Sequence, residues 1–176
     1  MTIAKRYSLW LIPTGLVYDS LANIIFQLSR EHRACKFEPH VTLLGGLSYS
    51  IEEISIKTSQ LADSIQPYEV RLGKTDYLDD FYKCLFVRVE PSTAVIDANL
   101  KARKILTGYR GPVYMPHLSL MYGDFTPAAK EAIIARIGLE FNLRFEVRAI
   151  YLYSTEGEPK NWHRVQEFTL RQGEAP

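Results

Sequence analysis

Residues 39–45 read PHVTLLG and residues 116–123 read PHLSLMYG, so one short pattern occurs twice in the chain. Each copy runs from proline through histidine, an apolar residue and a hydroxyl residue to further apolar residues and a glycine. Side chains two positions apart on a β-strand point to the same face of a sheet. The pattern therefore predicts two strands, the first with His40 and Thr42 on one face and the second with His117 and Ser119 on one face.

The elements around the two motifs follow the same order. A helix precedes each motif, and a second helix and a long strand of alternating apolar and polar residues follow it, over residues 37–72 and again over residues 116–153. Such strands favour antiparallel sheets with helices on one face. We therefore predict a bilobal α+β fold with two antiparallel sheets, helices on their outer faces and an internal pseudo-twofold duplication. The two histidine strands would meet across a central cleft.

The composition narrows the classes of function. The 176 residues suffice for one bilobal domain, which we place over residues 1–176. No apolar run approaches the roughly 20 residues of a membrane-spanning helix, and no signal-peptide core is visible, so we expect a cytoplasmic monomer that does not bind a membrane. The net charge of +1 does not favour a long nucleic acid as partner. Cys35 and Cys84 are expected to be reduced thiols, and a bridge between them stays open.

Two imidazoles and two hydroxyls in one cleft predict phosphoryl chemistry. Imidazole titrates near neutrality, so one histidine can act as a base while the other acts as an acid. Hydroxyls that donate to phosphoryl oxygens stabilise the charge of a transition state. A cyclic phosphodiester suits this set, because its ring strain reduces the help that a metal would give. No Cys, Asp or Glu shares a face with either histidine, so zinc is the weaker interpretation and we predict no metal and no cofactor.

Three stretches resemble the two-histidine (2H) phosphoesterase superfamily and, within it, the cyclic phosphodiesterases of the plant and yeast type. They are residues 7–13 (YSLWLIP), residues 37–42 (FEPHVT) and residues 116–123 (PHLSLMYG). The resemblance covers nearly the whole chain and implies a bilobal fold with a central cleft. It also implies metal-independent hydrolysis of ADP-ribose 1″,2″-cyclic phosphate, a by-product of tRNA splicing, and of nucleoside 2′,3′-cyclic phosphates.

The resemblance assigns roles to six residues of this chain. The catalytic acid and base would be His40 and His117, the phosphate would bind Thr42 and Ser119, and the base-binding side would carry Trp10 and Tyr122. The second motif has Ser where the first has Thr, and both supply the hydroxyl.

Two other functions stay open. One is an RNA 2′,3′-cyclic phosphodiesterase or 2′,5′ RNA ligase-like enzyme acting on RNA ends, which would need a basic groove that the charge balance does not indicate. The other is an inactive nucleotide- or RNA-binding module, which would not need two titrating groups. The sequence does not decide which histidine is the base, nor the roles of Arg110, Lys160, Tyr151, Trp162 and His163.

Overall fold

Eight β-strands and four α-helices make up residues 5–173, the part of the chain that the computed structural model describes. The strands are β1 (Lys5–Leu11), β2 (Val41–Tyr49), β3 (Tyr68–Asp76), β4 (Leu85–Val89), β5 (His117–Met121), β6 (Glu140–Val147), β7 (Ala149–Ser154) and β8 (His163–Thr169). The helices are α1 (Gly15–Glu31), α2 (Ile51–Asp63), α3 (Thr93–Leu106) and α4 (Pro127–Ile137). Two 3₁₀ turns, Phe81–Lys83 and Pro159–Asn161, lie in the β3–β4 and β7–β8 connections. Within residues 5–173 no helix combines the length and the apolar character that a membrane crossing requires.

Hydroxyl side chains begin three of the helices. The Ser50 side chain accepts a hydrogen bond from the Glu53 amide, and Ser92 does the same for Val95. At α4, Thr126 is the N-cap and Pro127 holds the first helical position, where its missing N–H costs nothing. These capping residues can be recognised in the sequence, so the starts of α2, α3 and α4 can be predicted from it.

The strands form one antiparallel sheet in the order β6-β3-β4-β5-β2-β1-β7-β8. At its centre β2 and β5 join through the pairing of Val41 with Leu118. This join corrects the prediction of two separate sheets, because the apolar residues behind the two motif histidines pair with each other and extend a single ladder. The predicted α+β class is confirmed, whereas the bilobal pseudo-twofold duplication stays a prediction.

Residues 140–154 also differ from the sequence prediction of one long strand. After Val147 the chain leaves β3, the partner of β6, and Ala149 begins β7, which pairs with β1 on the other side of the sheet centre. The alternation of apolar and polar residues continues through both β6 and β7. The sequence pattern therefore does not show that the chain moves from one partner strand to another between them.

All four helices contribute to one apolar core on one face of the sheet. Helix α1 follows β1 and packs against β5, while α3 follows β4 and packs against β2. The apolar residues of the two motifs are buried in this core, among them Val41, Leu43, Leu118 and Leu120. Because alternate strand residues point to opposite faces, the motif histidines and hydroxyls emerge on the face that the helices leave open.

Candidate active site

The structure brings the two motifs together in one cleft at the join of β2 and β5. His40, Thr42, His117 and Ser119 all line this cleft, whose volume is about 480 Å³. His40 lies just before β2, and His117 is the first residue of β5. A cleft of this size is within the range of small-molecule sites.

The two imidazoles are held by the same local hydrogen bond. His40 Nδ1 lies 2.7 Å from the carbonyl oxygen of Glu38, and His117 Nδ1 lies 2.8 Å from that of Met115. A carbonyl oxygen only accepts, so Nδ1 carries the proton in both rings and Nε2 is left for a ligand. The residue between is Pro39 in one copy and Pro116 in the other, and the fixed φ of proline limits the movement of the accepting carbonyl.

Burial favours the neutral form of both histidines. His40 is only 5% exposed, and burial lowers its pKa to about 3. The hydrogen bond to the Glu38 carbonyl opposes this lowering, and the nearby His117 adds a smaller one. Burial also lowers the pKa of His117, and the charges of Lys83 and Arg88 add to this effect, whereas Asp80 opposes it. The negative charge of a bound anion would raise both pKa values and so favour the protonated form of each ring.

Trp10 lies in the cleft wall but has no free face for a base. It is 2% exposed, and its ring stacks on His40 at 3.5 Å and 7° and on Tyr153 at 3.7 Å and 19°. Two rings this close and this parallel to the indole overlap each other unless they lie on opposite faces, so both faces are covered. The indole nitrogen donates to Ser8 Oγ at 2.9 Å. Trp10 therefore offers little ring surface to a base, and its role in substrate binding stays a prediction.

Tyr122 is covered in a similar way. It is 4% exposed, it stacks on Phe37 at 3.9 Å and 14°, and the Tyr82 ring meets it edge-on at 5.4 Å. Burial raises the pKa of its phenol, so the hydroxyl stays protonated. Tyr122 therefore lines the cleft as a packed wall residue with little surface for a ligand.

The two motif hydroxyls differ in their hydrogen bonds. Ser119 Oγ donates to the carbonyl oxygen of Tyr82 at 2.9 Å, whereas the Thr42 hydroxyl makes no hydrogen bond to another group in residues 5–173. A serine hydroxyl has one proton and rotates freely. Ser119 therefore exchanges its bond to Tyr82 for a bond to phosphate if it donates to a ligand.

The cleft also holds two cations that the sequence interpretation missed. Arg6 and Lys83 line it together with Ser8 and Thr42. Arg6 precedes Ser8 and Trp10 at period two on β1, so the strand alternation contained a signal for it. Lys83 comes from the 3₁₀ turn after β3, and its amine lies 3.2 Å from Asp80 Oδ2, which no motif of the sequence indicates.

Of the residues whose roles the sequence left open, only Trp162 lines the cleft. Lys160 pairs with Glu158 at 2.7 Å, and Arg110 lies beside a separate pocket with Lys57. Cys35 and Cys84 are both free thiols. Residues 5–173 contain no group of three or more His, Cys, Asp and Glu side chains arranged to hold a metal ion.

The comparisons with known proteins agree with this geometry. The pattern of the 2′-5′ RNA ligase superfamily matches residues 19–159. The cyclic phosphodiesterase of Arabidopsis thaliana is 23% identical over 167 residues, which are 90% of this chain and 92% of that protein.

Solved structures share the fold. The Thermus thermophilus protein TT0787 has a TM-score of 0.70 at 19% identity, with 97% of this chain and 100% of that chain covered. E. coli LigT complexed with 3′-AMP has a TM-score of 0.66 at 16% identity, with 97% and 99% covered. The superfamily pattern matches well over half of this chain, and the two histidine motifs of the chain meet in one cleft. The chain therefore belongs to the 2′-5′ RNA ligase superfamily and is a two-histidine phosphoesterase.

Proposed function

We propose that the chain hydrolyses small cyclic phosphodiesters, nucleoside 2′,3′-cyclic phosphates and ADP-ribose 1″,2″-cyclic phosphate among them, without a metal. The observation that carries the proposal is the matched pair of histidines, each with Nδ1 bound to a carbonyl and Nε2 left for the substrate. The Arabidopsis relative named cyclic phosphodiesterase supports the reaction class, and the complex of LigT with 3′-AMP supports a nucleotide-sized ligand.

The burial of the two rings divides their roles. His40 is the more buried and is unprotonated in the free enzyme near neutral pH, so it is the ring available as the base, and the charge of the bound phosphate helps it to take a proton from water through Nε2. The resulting oxygen attacks phosphorus, and the bond from phosphorus to one ribose oxygen breaks. His117 gives its Nε2 proton to that leaving oxygen. The products are a phosphomonoester and a free hydroxyl, and a second water returns the protons to the starting state.

Four groups are placed to stabilise the phosphoryl oxygens. The hydroxyls of Thr42 and Ser119 donate hydrogen bonds, and Arg6 adds positive charge. Lys83, whose amine is paired with Asp80 at 3.2 Å, adds a further hydrogen-bond donor. Donors fixed before the reaction stabilise the developing charge with little reorganisation. This set replaces the charge that a metal ion would otherwise supply.

The surface beside the cleft favours a small substrate over an RNA. Arg88, next to His117 across the β4–β5 ladder, is paired with Asp76 at 2.5 Å. This pairing reduces the positive charge that Arg88 offers to a phosphate backbone beside the cleft. The RNA-end function of the superfamily is the second candidate because the matching pattern carries the 2′-5′ RNA ligase description.

The test is a turnover assay with a nucleoside 2′,3′-cyclic phosphate, ADP-ribose 1″,2″-cyclic phosphate and an oligoribonucleotide with a 2′,3′-cyclic end, each with and without EDTA. We expect hydrolysis of the small substrates at equal rates with and without the chelator. Loss of turnover with EDTA that zinc restores would contradict the metal-free mechanism. A large preference for the oligoribonucleotide would replace the proposed substrate class with RNA ends.

A further inference from the structure

Two hairpin connections each place one aromatic side chain at the cleft. Tyr82 lies in the 3₁₀ turn Phe81–Lys83 between β3 and β4, and Trp162 follows the turn Pro159–Asn161 between β7 and β8. Both side chains line the cleft, and their ring centroids lie 5.9 Å apart with planes at 25°. These two residues, which we call the aromatic wall, come from opposite halves of the strand order.

The aromatic wall has free ring surface, which Trp10 and Tyr122 lack. Tyr82 is 48% exposed and Trp162 is half-buried, whereas Trp10 and Tyr122 are buried under other rings. Centroids 5.9 Å apart exclude full face-to-face contact, so the two rings leave part of their faces uncovered. An exposed aromatic surface that opens into a polar cleft is the mark of a ligand site.

The wall is fixed relative to the histidine strand β5. The carbonyl of Tyr82 accepts the hydrogen bond from Ser119 Oγ, and the carbonyl of Phe81 accepts one from the Gly123 amide at 3.0 Å. Gly123 has φ +146°, and a Cβ there would lie 2.5 Å from the Phe125 ring, so only glycine suits this turn. The turn that carries Tyr82 is thus attached to the residue that binds phosphate.

The indole of Trp162, which comes from the β7–β8 connection, is held by contacts of its own. Its nitrogen donates to the Gly157 carbonyl at 3.3 Å, and its ring meets Trp10 edge-on at 6.0 Å and Tyr122 at 6.1 Å. Trp10 in turn stacks on His40. Both wall residues therefore stand at set positions relative to the two catalytic histidines.

We propose that Tyr82 and Trp162 form the stacking site for the base of the substrate, so that the enzyme prefers nucleoside cyclic phosphates to cyclic phosphates without a base. This proposal rests on the proposed function. Stacking of one base on an aromatic side chain accounts for roughly 5- to 100-fold in affinity and tolerates different bases. The wall therefore selects for the presence of a base and discriminates little among bases.

The experiment compares two substrates that share the reacting group. Adenosine 2′,3′-cyclic phosphate carries a base, and glycerol 1,2-cyclic phosphate does not. We expect Tyr82→Ala and Trp162→Ala each to raise KM for the adenosine substrate by roughly 5- to 100-fold, with kinetics on the glycerol substrate unchanged. Tyr82→Phe keeps the ring and should keep the wild-type KM. Tyr109→Ala is the matched control, because Tyr109 is an exposed tyrosine outside the cleft.

An equal loss on both substrates, or a loss on neither, would overturn the base site. If the wild type turns over neither substrate, the proposed hydrolysis fails, and binding alone then tests the wall. Titration calorimetry with adenosine 2′-monophosphate should show weaker binding to Tyr82→Ala than to the wild type and to Tyr82→Phe. Equal affinity of the three proteins would refute the proposal independently of turnover. Circular dichroism of each variant establishes that it is folded.

Discussion

The indole of Trp10 lies flat against the imidazole of His40, with ring centroids 3.5 Å apart and planes 7° apart. Tyr153 covers the other face of the indole and donates its hydroxyl proton to the Glu38 carboxylate. The carbonyl of Glu38 then accepts the hydrogen bond from His40 Nδ1. These four residues close a ring of contacts around the proposed base, which fixes its orientation and keeps water away from it.

Replacement of Trp10 by phenylalanine should therefore affect the chemical step more than substrate binding. We expect kcat to fall roughly 10- to 100-fold because His40 loses its support, with little change in KM for a nucleoside 2′,3′-cyclic phosphate. Water that reaches the ring raises the low pKa of His40, so the acid limb of kcat/KM should move to higher pH. Steady-state kinetics across pH measure both effects. A raised KM with unchanged kcat would instead show that Trp10 binds the base.

The two motif histidines should be equally indispensable. His40→Ala and His117→Ala should each reduce turnover on the order of 10²- to 10⁴-fold, and the double variant should lose far less than the product of the two losses, because the residues act as a unit. His163→Ala is the matched control, since His163 makes the same Nδ1 contact to a carbonyl two residues earlier but lies outside the cleft. Near-normal turnover in either motif variant contradicts the acid and base roles.

The pH profile of kcat/KM, which reports on the free enzyme, should lie at lower pH than histidines with ordinary pKa values would give. Burial lowers the pKa of His40 to about 3 and also lowers that of His117. The base must be unprotonated and the acid protonated, so kcat/KM should rise through the lower pKa and fall through the higher one, with both below the ordinary value of 6.5. The limbs of kcat should lie at higher pH, since the bound phosphate favours the protonated rings. A basic limb of kcat/KM well above pH 6.5 would disprove this assignment.

The buried His40 should also make folding stability depend on pH. Its pKa in the folded state lies below the ordinary value of 6.5, so between these pH values the unfolded chain binds a proton that the folded chain does not. The free energy of unfolding should fall as the pH falls through this window, by about 2 kcal/mol between pH 6.5 and 5 from His40 alone. Urea unfolding at several pH values measures the loss. His40→Gln should remove that part of the slope, and an unchanged slope in the variant would count against a neutral buried ring.

Alanine variants of Ser119 and Thr42 should have different kinetic effects, because the two hydroxyls differ in their hydrogen bonds. Ser119→Ala removes a phosphoryl donor and also the bond to the Tyr82 carbonyl, so kcat should fall on the order of 10²- to 10³-fold and KM for a nucleoside substrate should rise. Thr42→Ala should lower kcat without the change in KM, because Thr42 does not hold the Tyr82 turn. Thr42→Ser retains the hydroxyl and serves as the control. If Ser119→Ala and Thr42→Ala had identical effects on kcat and KM, the hydrogen bond from Ser119 would not be what holds the Tyr82 turn in position.

Much of the site could be predicted from the sequence because it depends on strand alternation. The period of two places His40 with Thr42 and His117 with Ser119, and in the structure all four side chains line one cleft. The helix starts at Ser50 and Thr126 also follow from the sequence, since a cap is a contact between residues three positions apart. Such signals lie within a few residues of each other, so no knowledge of the fold is needed to find them.

Only the tertiary structure decides which surfaces stay open. Whether β2 and β5 join in one sheet depends on Val41 and Leu118, which are far apart in the chain. The faces of Trp10 are covered by His40 and Tyr153, and the free aromatic surface belongs to Tyr82 and Trp162 instead. Strand alternation alone predicts which side chains of each motif share a face, because side-chain direction on a strand is local. The burial of each ring is set by contacts between distant strands and turns, so the aromatic wall and the low pKa of His40 follow only from the folded arrangement.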